Sequence, residues 1–76
     1  MLSDELKRTR QKSFLTQTEF AKAIGVSYST INRWETGKSR PNLTAMKNLK
    51  SFCETRNLSY ENIENEWLES PSQKEG

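Results

Sequence analysis

The stretch Gly25–Pro41, GVSYSTINRWETGKSRP, decides how the rest of the chain is read. Only Gly25, Val26 and Ser27 separate an apolar pattern ending at Ile24 from a new one opening at Tyr28. So short a connection makes two helices cross steeply, as in a helix-turn-helix unit or in the αα-corner of a structural bundle. Gly25 suits a left-handed stop. Val26 plugs the corner, and the small Ala21 lets the two helices approach closely. Ser27 is the expected cap of the new helix and Gly37 its end, which leaves about two turns, too few to stand alone. At ~100° per residue, Ile31 and Trp34 point to a core. Ser29, Asn32, Arg33 and Thr36 point away, with Tyr28 at the first turn. A merely solvated helix would carry more Glu and Lys there. This face offers one Arg, one amide, hydroxyls and a phenol instead. Such groups hydrogen-bond well to base edges, and Arg pairs with guanine in the major groove.

Outward from this stretch, start and stop signals predict four more helices. Thr16 and Glu19 form a T-x-x-E capping box for the helix before the turn, with Leu15 and Phe20 as its hydrophobic staple. Phe20, Ala21 and Ile24 face inward. Ser3 is the expected cap of the first helix, which runs to about Lys12 and turns Leu2, Leu6 and Thr9 inward. KSRPN is a loop, because Pro41 holds Arg40 extended. Asn42 caps a fourth helix to about Thr55, with Leu43, Met46, Leu49, Phe52 and Cys53 on one buried stripe. Asn57 is a left-handed stop. Ser59 is the expected cap of a fifth helix with Tyr60, Ile63, Trp67 and Leu68 inward. The expected organisation is an all-α, compact five-helix domain over residues 1–68, followed by a flexible polar tail over 69–76.

With 76 residues and 32% hydrophobic residues, the chain can build one small core. The net charge of +2 is unevenly spread. Residues 1–41 carry eight cations against four anions, +4, and residues 42–76 carry four against six, −2. The basic half contains the opening stretch, which suits a polyanionic partner. Gln17 before the turn, and Lys38 and Arg40 after it, flank the polar face where they can hold phosphates. Cys53 is the one cysteine and cannot form an internal disulfide, so a reducing cytoplasmic home is expected. Catalysis is not expected: there is no His, nothing to activate Cys53, no metal cluster and no glycine-rich phosphate loop. No cofactor is expected, and no apolar run is long enough to span a bilayer.

LTQTEFAKAIGVSYSTINRWETGKSRP resembles the Cro/phage-repressor type of helix-turn-helix, the XRE family. The matching marks are L-T-Q before the second helix, A-x-x-x-G-V-S across the turn, S-x-S-T-I-x-R-W-E-x-G-K in the third helix, and the Pro after it. The likeness covers roughly residues 3–68. It implies a lambda-repressor-like fold whose third helix enters the major groove. By position it implies Tyr28, Ser29 and Arg33 as base readers, with Asn32 assisting. It implies Thr30 near a phosphate, and Thr16, Gln17, Lys38 and Arg40 as phosphate contacts. It also suggests a pairing of Arg10 with Glu35. The chain departs from several relatives in having Tyr28 and Ser29 where they have amides, which bears on the preferred bases. Tyr28 has three readings: a thymine methyl, a phosphate, or packing against its neighbours. Trp67 has two: it closes the core, or it lies in a dimer seam.

The expected function is therefore that of a sequence-specific double-stranded DNA-binding regulator, acting as a repressor and as a homodimer. Two-fold pairing would set two third helices ~34 Å apart on a near-palindromic site. The alternative is an antitoxin or other interaction module that meets a protein partner through the C-terminal helices. No companion sensor or protease-like domain is expected after Leu68.

Overall fold

A capping side chain or a left-handed residue sets most of the helix ends. The computed structural model describes residues 1–70 and contains α1 (Leu2–Lys12), α2 (Gln17–Ile24), α3 (Tyr28–Glu35), α4 (Leu43–Thr55) and α5 (Glu61–Glu69). The capping box of α2 forms in full: the Glu19 amide donates to Thr16 Oγ1 at 3.1 Å, and the Thr16 amide to Glu19 Oε1 at 2.9 Å. Asn42 Oδ1 accepts from the Ala45 amide at 2.9 Å and opens α4. Asn57 ends that stretch at φ 58°, in the left-handed region.

Two expected caps are corrected. Ser3 lies inside α1, which starts one residue earlier, at Leu2, with Met1 as the flanking residue. Ser59 does not cap α5: Tyr60 is the flanking residue, and Ser59 Oγ only accepts from the Glu61 amide at 3.4 Å. Tyr60 is an anchor instead, its phenol donating to the Met46 carbonyl at 2.9 Å. Burial, then Glu64 and Cys53, push that phenol up to about 12, so it remains a neutral donor. α5 runs one residue past the expected domain limit, and the rest of the expected tail, 71–76, lies outside the described residues.

α1 packs on α3 and α5, and α2 packs on α3 and α4. Leu6, Phe20, Ile24, Ile31, Trp34, Leu49, Cys53 and Ile63 are all fully buried at their centre. Phe20 and Phe52 meet edge to face at 5.3 Å, an arrangement favoured by the ring quadrupoles. Leu43 and Leu68, expected inside, are 60% and 66% exposed. Both sit at helix ends, beyond the reach of the elements that cover Met46 and Ile63. Among the described residues no helix is long and apolar enough to cross a membrane.

The break between α1 and α2 is strained. Phe14 has φ 58° and its ring is 93% exposed. A residue with a Cβ in that region costs roughly 1–2 kcal/mol, and an exposed ring returns little by burial. Replacing Phe14 with Gly should therefore raise the unfolding free energy by about 0.5–1 kcal/mol, the added backbone entropy of Gly offsetting part of the relief. Urea denaturation followed by far-UV circular dichroism measures this; a loss of stability would mean that the ring has a packing role.

Candidate nucleic-acid interface

The turn that presents α3 is built from short-range bonds. The Gly25 and Val26 amides both donate to the Ala21 carbonyl, at 2.8 and 3.0 Å. Gly25 takes φ 84°, where a Cβ would be strained. Ser27 Oγ accepts from the Thr30 amide at 3.1 Å and opens the new helix. From below, Ile31 and Trp34 pin α3 to the core, at 0% and 1% exposure. The core role expected of Trp34 is thus the one it has.

Opposite these anchors the outer face is open. Ser29, Arg33 and Thr36 are exposed, Tyr28 is 52% exposed and Asn32 is half-buried. Among the described residues, neither Arg33 nor Lys38 makes an ion pair. No carboxylate therefore neutralises the cations of this surface. Thr30 is half-buried, its hydroxyl 2.9 Å from that of Ser27. Thr16 is exposed at the N-terminus of α2, where free amides and the helix dipole favour an anion.

The pairing of Arg10 with Glu35 is present and carries more than the sequence reveals. Arg10 Nε donates to Glu35 Oε2 at 2.7 Å and Nη2 to Oε1 at 2.9 Å. The side chains are 14% and 3% exposed. Arg10 Nη1 also donates to the Leu15 carbonyl at 3.0 Å. Gln17 Nε2 donates to Glu35 Oε1 at 3.0 Å. The bond to Glu35 is the main cause that raises the Arg10 pKa above its ordinary value, against desolvation. α1, the α1–α2 loop, the start of α2 and the end of α3 are thus tied at one carboxylate. Gln17 is committed to this network through its amide nitrogen, and its carbonyl oxygen makes no hydrogen bond among the described residues.

Behind α3 the chain turns through Gly37, at φ 76°, with the Lys38 amide donating to the Arg33 carbonyl at 2.9 Å. Lys38 is exposed. Arg40 behaves differently from expectation. Its guanidinium lies over the Trp67 ring at 4.2 Å, and Nη1 donates to the Ser70 carbonyl at 3.2 Å. The ring quadrupole and that carbonyl draw the cation toward α5, away from the outer face of α3. Trp67 in turn donates from Nε1 to the Pro41 carbonyl at 2.7 Å. Trp67 packs half-buried against the core, and its remaining exposed surface lines a groove with Leu43 and Leu68.

A family profile described as Helix-turn-helix matches residues 6–60. The chain belongs to that family, in its Cro/phage-repressor (XRE) type. Helix-turn-helix proteins of this type are DNA-binding regulators. Antitoxin HipB of Escherichia coli (strain K12) is 35% identical over 75 residues, which cover 90% of this chain and 85% of that one. The HTH-type transcriptional activator BcrR of Enterococcus faecalis is 34% identical over 50 residues, 66% of this chain. The type II methyltransferase M.SsoII of Shigella sonnei is 38% identical over 63 residues, 79% of this chain. The chain spans 24% of the activator and 16% of the methyltransferase. No solved structure matches the chain at a significant level.

The helix-turn-helix frame should depend on the carboxylate under α3. Glu35→Ala leaves a buried, unpaired Arg10 and should destabilise the fold by about 3–5 kcal/mol. Replacing both residues together, Arg10→Met with Glu35→Leu, should recover most of that loss. Thermal and urea unfolding of the single and double variants measure the difference.

Proposed function

We propose that this chain is a sequence-specific transcriptional repressor that binds double-stranded DNA as a homodimer in the cytoplasm, with no catalytic activity of its own. The observation that supports it best is the outer face of α3: polar, exposed, free of carboxylates, and carried on two buried anchors. In this reading Tyr28, Ser29, Asn32 and Arg33 meet base edges in the major groove. Thr16, Gln17, Thr30 and Lys38 hold the flanking phosphates, Gln17 also steadying Glu35. Arg40 is given no phosphate, since Trp67 and Ser70 occupy its guanidinium.

The homodimer is supported by the exposed leucines. Leu43 and Leu68 border a groove floored by Met46, Tyr60 and Trp67. Lys47 and Lys50 stand on its α4 side and Glu64 on its α5 side. A two-fold partner sets the lysines of one copy against the glutamate of the other. A second reading, an antitoxin that covers this groove with a protein partner, draws on the likeness to HipB.

Two measurements test these assignments. In fluorescence anisotropy on duplexes selected from a random pool, Arg33→Ala should lose ~1–3 kcal/mol on the selected site and relax base preference. Lys38→Ala should weaken all duplexes alike and lower the salt slope by about 1. Unchanged discrimination in the Arg33 variant would remove α3 as the reader. In sedimentation equilibrium, Leu68→Glu should convert a dimer into a folded monomer; a variant that remains dimeric would place the seam elsewhere.

A further inference from the structure

Among the described residues, Phe14 and Asn57 are the two outside glycine with positive φ. Asn57 is unremarkable, because a short amide side chain tolerates the left-handed region. A benzyl group has no such ease, and 93% of Phe14 is exposed. Its conformation is fixed from both sides. The Phe14 amide donates to the Gln11 carbonyl at 3.0 Å, and the Leu15 amide to the Arg10 carbonyl at 3.3 Å. Leu15 packs on the core, and the Phe14 ring does not. Neither the turn nor the core therefore calls for an aromatic residue here. Backbone strain held in place by its surroundings, under a side chain that packs on nothing, points to a role outside the fold.

The place of this loop indicates what covers the ring. Arg10 Nη1 bonds the Leu15 carbonyl while Nε and Nη2 hold Glu35. One guanidinium thus spans the gap between the residue after Phe14 and the last residue of α3. The exposed Arg33 stands two residues before Glu35. Thr16, at the N-terminus of α2, is two residues after Phe14, so their Cα atoms lie at most about 7 Å apart. The exposed neighbours of Phe14 in the chain, Gln11, Lys12 and Thr16, include no carboxylate. Glu19 turns its Oε1 back onto the Thr16 amide. A helix lying in a major groove has a sugar–phosphate strand along each side. Such a strand is anionic at its phosphates and apolar on its deoxyribose faces.

We propose that Phe14 is a further DNA-contact residue, its ring packing on a deoxyribose of the strand whose phosphate meets the N-terminus of α2. The inference rests on the DNA-binding reading above and adds an apolar, sequence-independent contact to it. The ring has no charge and releases no counterion, so its share of the affinity does not depend on salt. Covering the sugar also keeps water from the adjoining phosphate, where a lower local dielectric strengthens the hydrogen bonds from Thr16.

Fluorescence anisotropy on duplexes selected by the parent chain, run beside urea denaturation, tests the assignment. Phe14→Gly should raise stability and yet weaken binding roughly three- to tenfold, the worth of half-burying an aromatic ring. Phe14→Asn keeps a side chain that suits the left-handed region and should lose affinity to the same extent. Phe14→Tyr keeps the ring and should bind as the parent does. The loss should be equal on selected and unrelated duplexes, with the salt slope unchanged, whereas Lys38→Ala lowers that slope. The inference is overturned if Phe14→Gly and Phe14→Asn bind as the parent does, if Phe14→Tyr loses as much as Phe14→Asn, or if the salt slope falls with the affinity. It is also overturned if sedimentation equilibrium shows these variants losing a dimer that the parent forms, which would make a protein surface the occupant. A parent chain that selects no duplex overturns the DNA-binding reading itself, and this inference with it.

Discussion

Glu35 accepts three hydrogen bonds through its two oxygens, two from Arg10 and one from Gln17, inside a nearly dry pocket beneath α3. The outer face of α3 is placed relative to that carboxylate. α3 has eight residues and would not form alone. Ile31 and Trp34 hold it by non-directional burial, which resists lifting better than it resists rotation. The planar fork between guanidinium and carboxylate supplies the missing direction. A buried ion pair of this kind adds little net stability over an apolar substitute, and its value is geometric. It fixes the angle at which Ser29 and Arg33 leave the surface.

A second strut ties the far end of the same helix to α5. The loop after α3 is stitched back by the Lys38 amide and then fastened through Pro41 and Arg40 to Trp67. The outer face of α3 and the groove bordered by Leu43 and Leu68 are therefore linked by a short chain of direct contacts. Anything that covers that groove also loads Trp67, and through it the loop that carries Lys38.

The local features were legible in the sequence because their causes are local. A threonine three residues before a glutamate specifies a cap wherever it occurs, and the three residues after Ile24 leave room for only a tight turn. The wheel placed Ile31 and Trp34 inside for the same reason. The same logic misled at Ser3 and Ser59, where a good capping residue stands one or two positions from the actual helix start. Periodicity defines a stripe along α4 and α5 but not where its cover stops, so Leu43 and Leu68 read as core. Gln17 and Arg40 were out of reach for another reason. Their partners lie 18 and about 27 to 30 residues away, and either side chain alone reads as a solvated polar group. The likeness to a known family supplied Arg10 with Glu35, which spacing alone does not yield.

The brevity of α3 limits how much information one copy can extract. Eight helical residues rise about 12 Å, the length of between three and four stacked base pairs at ~3.4 Å each. Four fully read pairs distinguish only about 256 words, and a bacterial chromosome repeats each such word thousands of times among its ~10⁶ or more competing sites. A single domain of this size would be titrated away by chance matches. On the proposed reading, selectivity comes from a second reader held at a set distance, which makes spacing between half-words as informative as the letters within them.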